Sequence, residues 1–307
     1  MKPVVSVIVP AYNAARTIGE TIESVLSQSF SDLELIIVDD GSTDETKDIV
    51  SEYRCKDDRI ISTWQKNSRA SAARNRGLAI ATGKYISLID ADDLWDERKL
   101  EKQISAIDST EDTIVLTGIR RFHILDGKKI WGAVTMAPNI ENYMYDVLSI
   151  LLLSSFQMVL INTALIKKEL VEKLGGWKVD MWTAEDWEFW IRASRKARFK
   201  AIEEPLSFYR KHPESVTRNQ DLLKVLDAHE KIIEEQLKQG AITKKEFEQA
   251  LISRQIESCS FFIYQGELAK AIHVLTRSFG LIQGWTNRNV WRRGVEIVRL
   301  AVQKMTI

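Results

Sequence analysis

The stretch Ile86-Ser87-Leu88-Ile89-Asp90-Ala91-Asp92-Asp93 decides how this chain is read. A run of Ile, Ser, Leu and Ile predicts a buried strand, and it passes without a break into three carboxylates within four positions. Carboxylates this close repel one another and raise each other's pKa unless a cation neutralises them. Hard oxygen donors of this kind suit Mg2+ or Mn2+, ions that commonly also take the phosphate oxygens of a substrate. The competing reading is a loop of solvated acids that caps a helix beginning near Asp96. Upstream sequence bears on the choice, because open α/β sheets bind their ligands at the C-terminal edge of the strands.

Upstream, short β-branched runs alternate with longer helical patterns, the mark of a mostly parallel central sheet flanked by helices. Strands are expected at residues 4–9, 33–38, 59–63 and 85–89. Between them lie helices over 17–26, with Ile18, Ile22, Val25 and Leu26 on one face, and over 71–81, closed by Gly83. A further helix opens with Ser42 and Glu45, spaced as a capping box. Beyond residue 112 strands are expected at 113–118, 129–134 and 201–209, and helices at 163–174 and 184–196. The apolar stretch 147–161 reads as a buried helix followed by a strand. From residue 220 onward the pattern is helical to the end. The expected division is an α/β domain over 1–219, with halves 1–110 and 111–219, and a helical C-terminal region over 220–307.

Bulk composition excludes several classes. Lys and Arg number 43, as do Asp and Glu, so no global field recruits nucleic acid and any charge-driven binding is local. Nucleic acid is not an expected partner. The two cysteines, Cys55 and Cys259, lack metal-type spacing and read as free thiols in a reducing compartment. The first apolar run is broken by Pro10 and does not read as a secretory signal. The longest apolar stretch is interrupted by Ser149, Ser154, Ser155 and Gln157, short of the ~20 residues that span a bilayer. The expected location is cytoplasmic.

The first strand ends Val9-Pro10-Ala11-Tyr12-Asn13, where a dinucleotide-binding fold would need a glycine-rich turn. That argues against a dehydrogenase. Tyr12 can lie against a flat base, with Pro10 and Ala11 keeping the backbone narrow beside it. Strand two ends Asp39-Asp40-Gly41-Ser42, and Asp39 can accept a hydrogen bond from a base N–H or a ribose hydroxyl. Asp40 and Ser42 read as turn and helix-cap chemistry. Arg74 sits on a short helix among Ala70, Ala72 and Ala73, small residues that let it lie close to the sheet, so Arg74 can lean toward phosphate or nucleotide.

In order and spacing, the segments 5–13, 37–44, 73–78 and 89–93 resemble the nucleotide-binding half of family 2 glycosyltransferases, which have the GT-A fold. The resemblance covers residues 1 to about 100. It implies that Asp39 contacts the base, Asp90 the ribose or nearby phosphate, and Asp92 the metal, Mn2+ or Mg2+. It also gives a meaning to Thr183-Ala184-Glu185-Asp186-Trp187-Glu188-Phe189-Trp190-Ile191-Arg192. By the residues alone this is an acidic helix start with Trp187, Trp190 and Ile191 packed inward. By the resemblance, Asp186 is the general base that deprotonates the acceptor hydroxyl and Glu185 helps to bind the acceptor. In related enzymes a loop after the last strand brings a histidine toward metal or phosphates, which points to His212 as a second metal ligand. The Gln-x-x-Arg-Trp segment of processive members is absent from the sequence. The expectation is therefore an inverting, non-processive enzyme that moves one sugar from a nucleotide sugar, a UDP-sugar by the resemblance, to a glycan or lipid-linked acceptor.

The segment 284–307 carries Arg288, Arg292, Arg293, Arg299 and Lys304 beside an apolar band. Two readings stand open: peripheral contact with the inner face of an anionic membrane, or docking on the catalytic domain or on a second copy in a homo-oligomer. Two rivals to the main reading also stand. A nucleotidyltransferase would be expected to carry a glycine-rich phosphate loop where this chain has Tyr12-Asn13. A non-catalytic sugar-nucleotide-binding or scaffold protein would not need to keep Asp92 together with Asp186.

Overall fold

The computed structural model describes residues 2–137, 151, 161–212 and 221–281. The expectation for 147–161, apart from residues 151 and 161, and that for 284–307 lie outside them. The chain divides into two compact units, Met1–Leu148 with Phe156–Arg218, and Ser149–Ser155 with Asn219–Ile307.

Among the described residues, the first unit is built on one sheet of nine strands. They are β1 Val5–Ala11, β2 Leu33–Asp39, β3 Ile60–Trp64, β4 Tyr85–Leu88, β5 Leu94–Trp95, β6 Thr113–Leu125, β7 Lys128–Thr135, β8 Ala164–Lys167 and β9 Arg198–Arg210. The order across the sheet is β3-β2-β1-β4-β8-β6-β9-β5, with β7 paired to β6. Strands β1 to β4 with β6 and β9 share one direction; β5, β7 and β8 run against them. The unit's described α-helices are α1 Ile18–Leu26, α2 Thr46–Arg54, α3 Arg69–Ile80, α4 Lys99–Ala106, α5 Lys168–Lys173 and α6 Glu185–Ala193.

β1 shows why the sheet is covered on both sides. Val5, Val7, Val9 and Ala11 join a buried cluster with Ile18, Ile22 and Val25 of α1 and Val50 of α2. Ile8, on the other face, meets Gly77 of α3 so closely that a Cβ there would come 2.4 Å from its Cγ2. Alternate residues therefore bury against different helices, and the strand reads as a continuous apolar run. The strand extends through Pro10 to Ala11, two residues past expectation. β4 pairs only as far as Ile8, so the missing N–H of Pro10 breaks no ladder on that side.

Several local expectations are corrected. Ser42 and Glu45 make no capping box: α2 begins at Thr46 with no side-chain cap, because the Ser42 Oγ is taken by the Asn13 N–H at 3.0 Å. Gly83 is not a helix cap but a point of close approach, where a Cβ would lie 2.7 Å from the Ser6 nitrogen. The helix expected near Asp96 begins at Lys99, after the two-residue strand β5. Residues 164–167, expected to be helical, form β8 between β4 and β6. All four are buried there, and filling the centre of the sheet overrides their local preference.

Lys99 opens α4 with no solvent exposure. Its Nζ donates to Gln103 Oε1 at 2.8 Å and lies 3.9 Å from the Trp95 ring centroid. Burial pushes the amine's pKa well below the ordinary lysine value.

The described part of the second unit holds helices α7 Leu222–Lys238, α8 Lys244–Tyr264 and α9 Leu268–Leu281. Thr243 and Glu246 form a capping box at the start of α8. Leu226, Cys259, Phe262, Ile263, Ala271 and Val274 pack as a core of their own. Cys55 is exposed, Cys259 buried, and both are free. Among the described residues no helix is long and apolar enough to cross a membrane.

Candidate active site

Three strand ends supply one edge of the site. Ala11 pairs with Asp39 across the β1–β2 ladder, and the Asp40 N–H donates to the Ala11 carbonyl at 2.8 Å. The chain then turns through Asn13, whose φ of 49° lies in the left-handed region that asparagine tolerates. The Thr43 N–H donates to Asn13 Oδ1 at 2.8 Å, and the Ala15 N–H to Asp44 at 3.0 Å. These bonds lace the two loops together. They leave Ala11 buried and Tyr12 52% exposed beside it.

The two aspartates that end β2 have different work. Asp40 accepts from Gln65 Nε2 at 2.7 Å, the Ser68 N–H at 2.8 Å and the Arg69 N–H at 2.7 Å. It caps and anchors α3, not the helix that follows it in sequence. Asp39 Oδ1 accepts the Ser42 N–H at 2.9 Å, whereas its Oδ2 is buried without a partner. A buried carboxylate oxygen left unsatisfied is costly, and a ligand N–H or O–H would satisfy it.

Arg74 is buried on α3 and forks between two carboxylates. Nη2 lies 3.3 Å from Asp90 Oδ1 and Nη1 3.1 Å from Glu185 Oε1. Burial works against its charge, but Asp90, Glu185 and Asp186 outweigh burial and push the guanidinium pKa up. Its fork joins Asp90, expected on the nucleotide side of the site, to Glu185, expected on the acceptor side.

The acidic cluster separates into three environments. Asp90 has its pKa raised, by burial first and then by the charge of Asp92, against the pull of Arg74. Asp93 is buried, accepting the Arg210 N–H at 2.9 Å on Oδ1 and the Asn162 side-chain amide on Oδ2. Burial, then Asp92 and Asp90, hold its pKa well above the usual carboxylate range. Asp93 is an internal tie. Asp92 stays part-exposed, its Oδ2 2.8 Å from His212 Nε2.

His212 reaches that point because the end of β9 is fixed at several atoms. Arg210 Nε donates to the Asp92 carbonyl at 2.7 Å, Nη2 lies 3.2 Å from Glu20, and the Lys211 N–H donates to the Phe122 carbonyl at 2.7 Å. Glu20 and Asn162 are supporting residues that no sequence motif announced. Among the described residues no third His, Cys, Asp or Glu joins Asp92 and His212 in a metal cluster. A carboxylate oxygen and an imidazole nitrogen meeting at one point fit a divalent cation whose other ligands are phosphate oxygens and water.

On the opposite side, α6 begins at Glu185 and Asp186. Its N-cap is Ala184 at φ 61°, a left-handed conformation that costs an L-residue about 1 kcal/mol and clusters at functional sites. Burial first, then the charge of Glu185, raise Asp186 to a pKa of about 6, against the pull of Arg74. Trp187, Phe189, Trp190 and Ile191 are buried behind it, with Phe189 stacked on Trp177 at 4.7 Å. The inward packing and an acidic helix start at the pocket are therefore both present. Asn75 ties the segment to α3: its Nδ2 donates to the Trp177 carbonyl at 2.7 Å and its Oδ1 accepts the Trp177 N–H at 2.9 Å.

Known proteins agree with this architecture. Residues 6–175 match the model for Glycosyl transferase family 2. The putative teichuronic acid biosynthesis glycosyltransferase TuaG of Bacillus subtilis (strain 168) is 50% identical over 104 residues, 34% of this chain and 41% of that protein. UDP-Glc:alpha-D-GlcNAc-diphosphoundecaprenol beta-1,3-glucosyltransferase WfaP of Escherichia coli is 33% identical over 218 residues, 70% of this chain and 80% of that protein. The match thus takes in less than half of TuaG but most of WfaP. Among solved structures, S. aureus TarS 1-349 in complex with UDP-GlcNAc superposes with a TM-score of 0.66 at 21% identity, covering 94% of this chain and 82% of that one. Mannosyltransferase PcManGT from Pyrobaculum calidifontis, in complex with GDP-Man and Mn2+, gives 0.58 at 19% identity, covering 98% and 81%. The sheet is that of the GT-A fold, the family model spans more than half of the sequence, and the chain belongs to glycosyl transferase family 2.

Proposed function

We propose that this glycosyltransferase moves a single hexose from a nucleotide sugar, a UDP-sugar, to a hydroxyl of a glycan or lipid-linked glycan, with inversion at the anomeric carbon. The observation that carries the reading is the Arg74 fork, which joins Asp90 on the nucleotide side to Glu185 beside Asp186. Residues 1–219 are the catalytic domain and 220–307 an appended helical region.

In this reading Pro10, Ala11 and Tyr12 flank the base, and the unpartnered Asp39 Oδ2 accepts its N–H. Asp90 and Arg74 border the ribose and phosphates, and Glu185 binds the acceptor. Asp186 takes the proton of the acceptor hydroxyl as its oxygen attacks the anomeric carbon. The bond from that carbon to the diphosphate breaks, and the nucleoside diphosphate leaves. One displacement with one base inverts the configuration, and the proton transfer is worth about 10²–10⁴-fold in rate. Asp92 and His212 would hold Mn2+ or Mg2+, which when bound neutralises charge on the leaving diphosphate.

The donor assignment draws support from the UDP-GlcNAc bound to TarS, the metal from the Mn2+ bound to PcManGT, and the acceptor class from the lipid diphosphate in the name of WfaP. A lipid-linked acceptor suits a chain at the cytoplasmic face of a membrane. Asp186→Asn keeps the shape and removes the base: transfer is abolished while affinity for UDP with Mn2+ stays near wild type. Retained transfer by the purified variant overturns the base assignment.

A further inference from the structure

Of the large apolar side chains among the described residues, Trp182 is the most exposed, at 78%. It stands in the loop that leads into Glu185 and Asp186, three positions before Glu185. One face of its ring is occupied, since the guanidinium carbon of Arg69 lies 3.0 Å from the ring centroid. Arg69 is in turn held by Asp40, which accepts its backbone N–H at 2.7 Å. The indole therefore presents a solvent-facing surface backed by the Arg69 guanidinium, whose backbone Asp40 anchors. Scattered exposed apolar residues are ordinary, but a tryptophan held in this way beside a catalytic loop is a prepared surface.

Its place relative to the site follows from the seam between α3 and the 177–185 segment. Asn75 holds the backbone of Trp177, Arg74 holds Glu185, and Arg69 backs Trp182. Arg69 and Arg74 lie five positions apart in α3, roughly 7.5 Å along its axis. Trp182 thus stands on the segment that leads into the Glu185–Asp186 pair, at the Arg69 end of α3.

We infer that Trp182, backed by Arg69, is a sugar-stacking subsite for the acceptor. The C–H face of a pyranose lies on the open face of the indole, where its weakly positive hydrogens meet the negative face of the π-system. The ring hydroxyls stay at the edge, in water. Arg69, by cation–π contact on the far face, fixes the plane of the platform. The ligand class is a pyranose whose stacking face lacks an axial hydroxyl, so the platform also selects among acceptors. This rests on the reading that the Glu185–Asp186 edge receives the acceptor.

The test uses the full chain with UDP and Mn2+ present and three probes: the methyl glycosides of glucose, galactose and N-acetylglucosamine. Binding is followed by saturation-transfer NMR with titration. At least one probe binds wild type; its Kd rises roughly tenfold in Trp182→Ala and changes less than that in Trp182→Phe, which keeps an aromatic face. Affinity for UDP is unchanged in both, and Arg69→Ala weakens the same probe. The inference is overturned if no probe binds wild type, if Trp182→Ala binds it as wild type does, or if Trp182→Ala loses UDP instead. Asp186→Asn binds the probes like wild type. Transfer surviving in that variant would overturn the base assignment and leave the Trp182 result standing.

Discussion

Asp186 must be ionised before it can accept a proton, and its carboxyl has a pKa raised to about 6. The raised value means that the protonated, inactive form takes over as pH falls through about 6, well above the usual carboxylate range. kcat/KM should then fall about tenfold per pH unit below 6 and level off above 7. A pH–rate profile between 5 and 8 reads this directly, and a flat profile contradicts the assignment. The residue types at the pocket were legible because they sit at strand ends and helix starts, where pattern and motif coincide. Their partners were not. Arg74 meets Asp90 and Glu185, 16 and 111 positions away, and no periodicity in a sequence reports such a pairing. The same holds for Asp93, to which the motif assigns no role of its own. Its fate was decided by Asn162 and by the Arg210 backbone, both brought in by distant strands.

Among the elements, α3 does the most to hold the site together, carrying Arg69, Arg74 and Asn75 and packing Gly77 onto β1. Because a Cβ at position 77 would come 2.4 Å from Ile8 Cγ2, Gly77→Ala must push helix and strand apart. A loss of about 1–3 kcal/mol is expected, the usual cost of overpacking a tight core. Urea denaturation measures it, and an unchanged midpoint would show that α3 can shift freely. Elements with a strong local signal were read to within a few residues: α1 from its apolar face, and β2 and β3 from their β-branched runs. β8 was misread as helix because Ala164, Leu165, Ile166 and Lys167 carry no period of their own. Only the two neighbours, β4 and β6, make them a strand. The capping box at Ser42 failed for a related reason: the hydroxyl was claimed by Asn13, 29 positions away.

The scale of the whole molecule adds what no single element reports. A ligand that binds only the folded chain raises its stability, by about 2.7 kcal/mol at a hundredfold excess over Kd. UDP with Mn2+ should therefore raise Tm more than UDP alone, and Asp92→Asn should remove the increment due to the metal. Equal shifts with and without Mn2+ would remove the metal from the proposal. Domain class was legible at this scale from alternation alone, whereas the reversal of β5, β7 and β8 against the other strands was not, since a strand's own sequence does not record the direction of its neighbours. Lys99 has a global consequence too. Burial under Trp95 pushes its amine's pKa well below the ordinary lysine value, which returns once the chain opens. Between those two values every unfolding event therefore consumes a proton, and the fold gains stability as pH rises toward 10.5, with a limiting slope of about 1.4 kcal/mol per pH unit. Urea midpoints taken at pH 8 and pH 9.5 should separate in wild type and draw together in Lys99→Met, so that one concealed side chain makes alkalinity a stabilising condition for this enzyme.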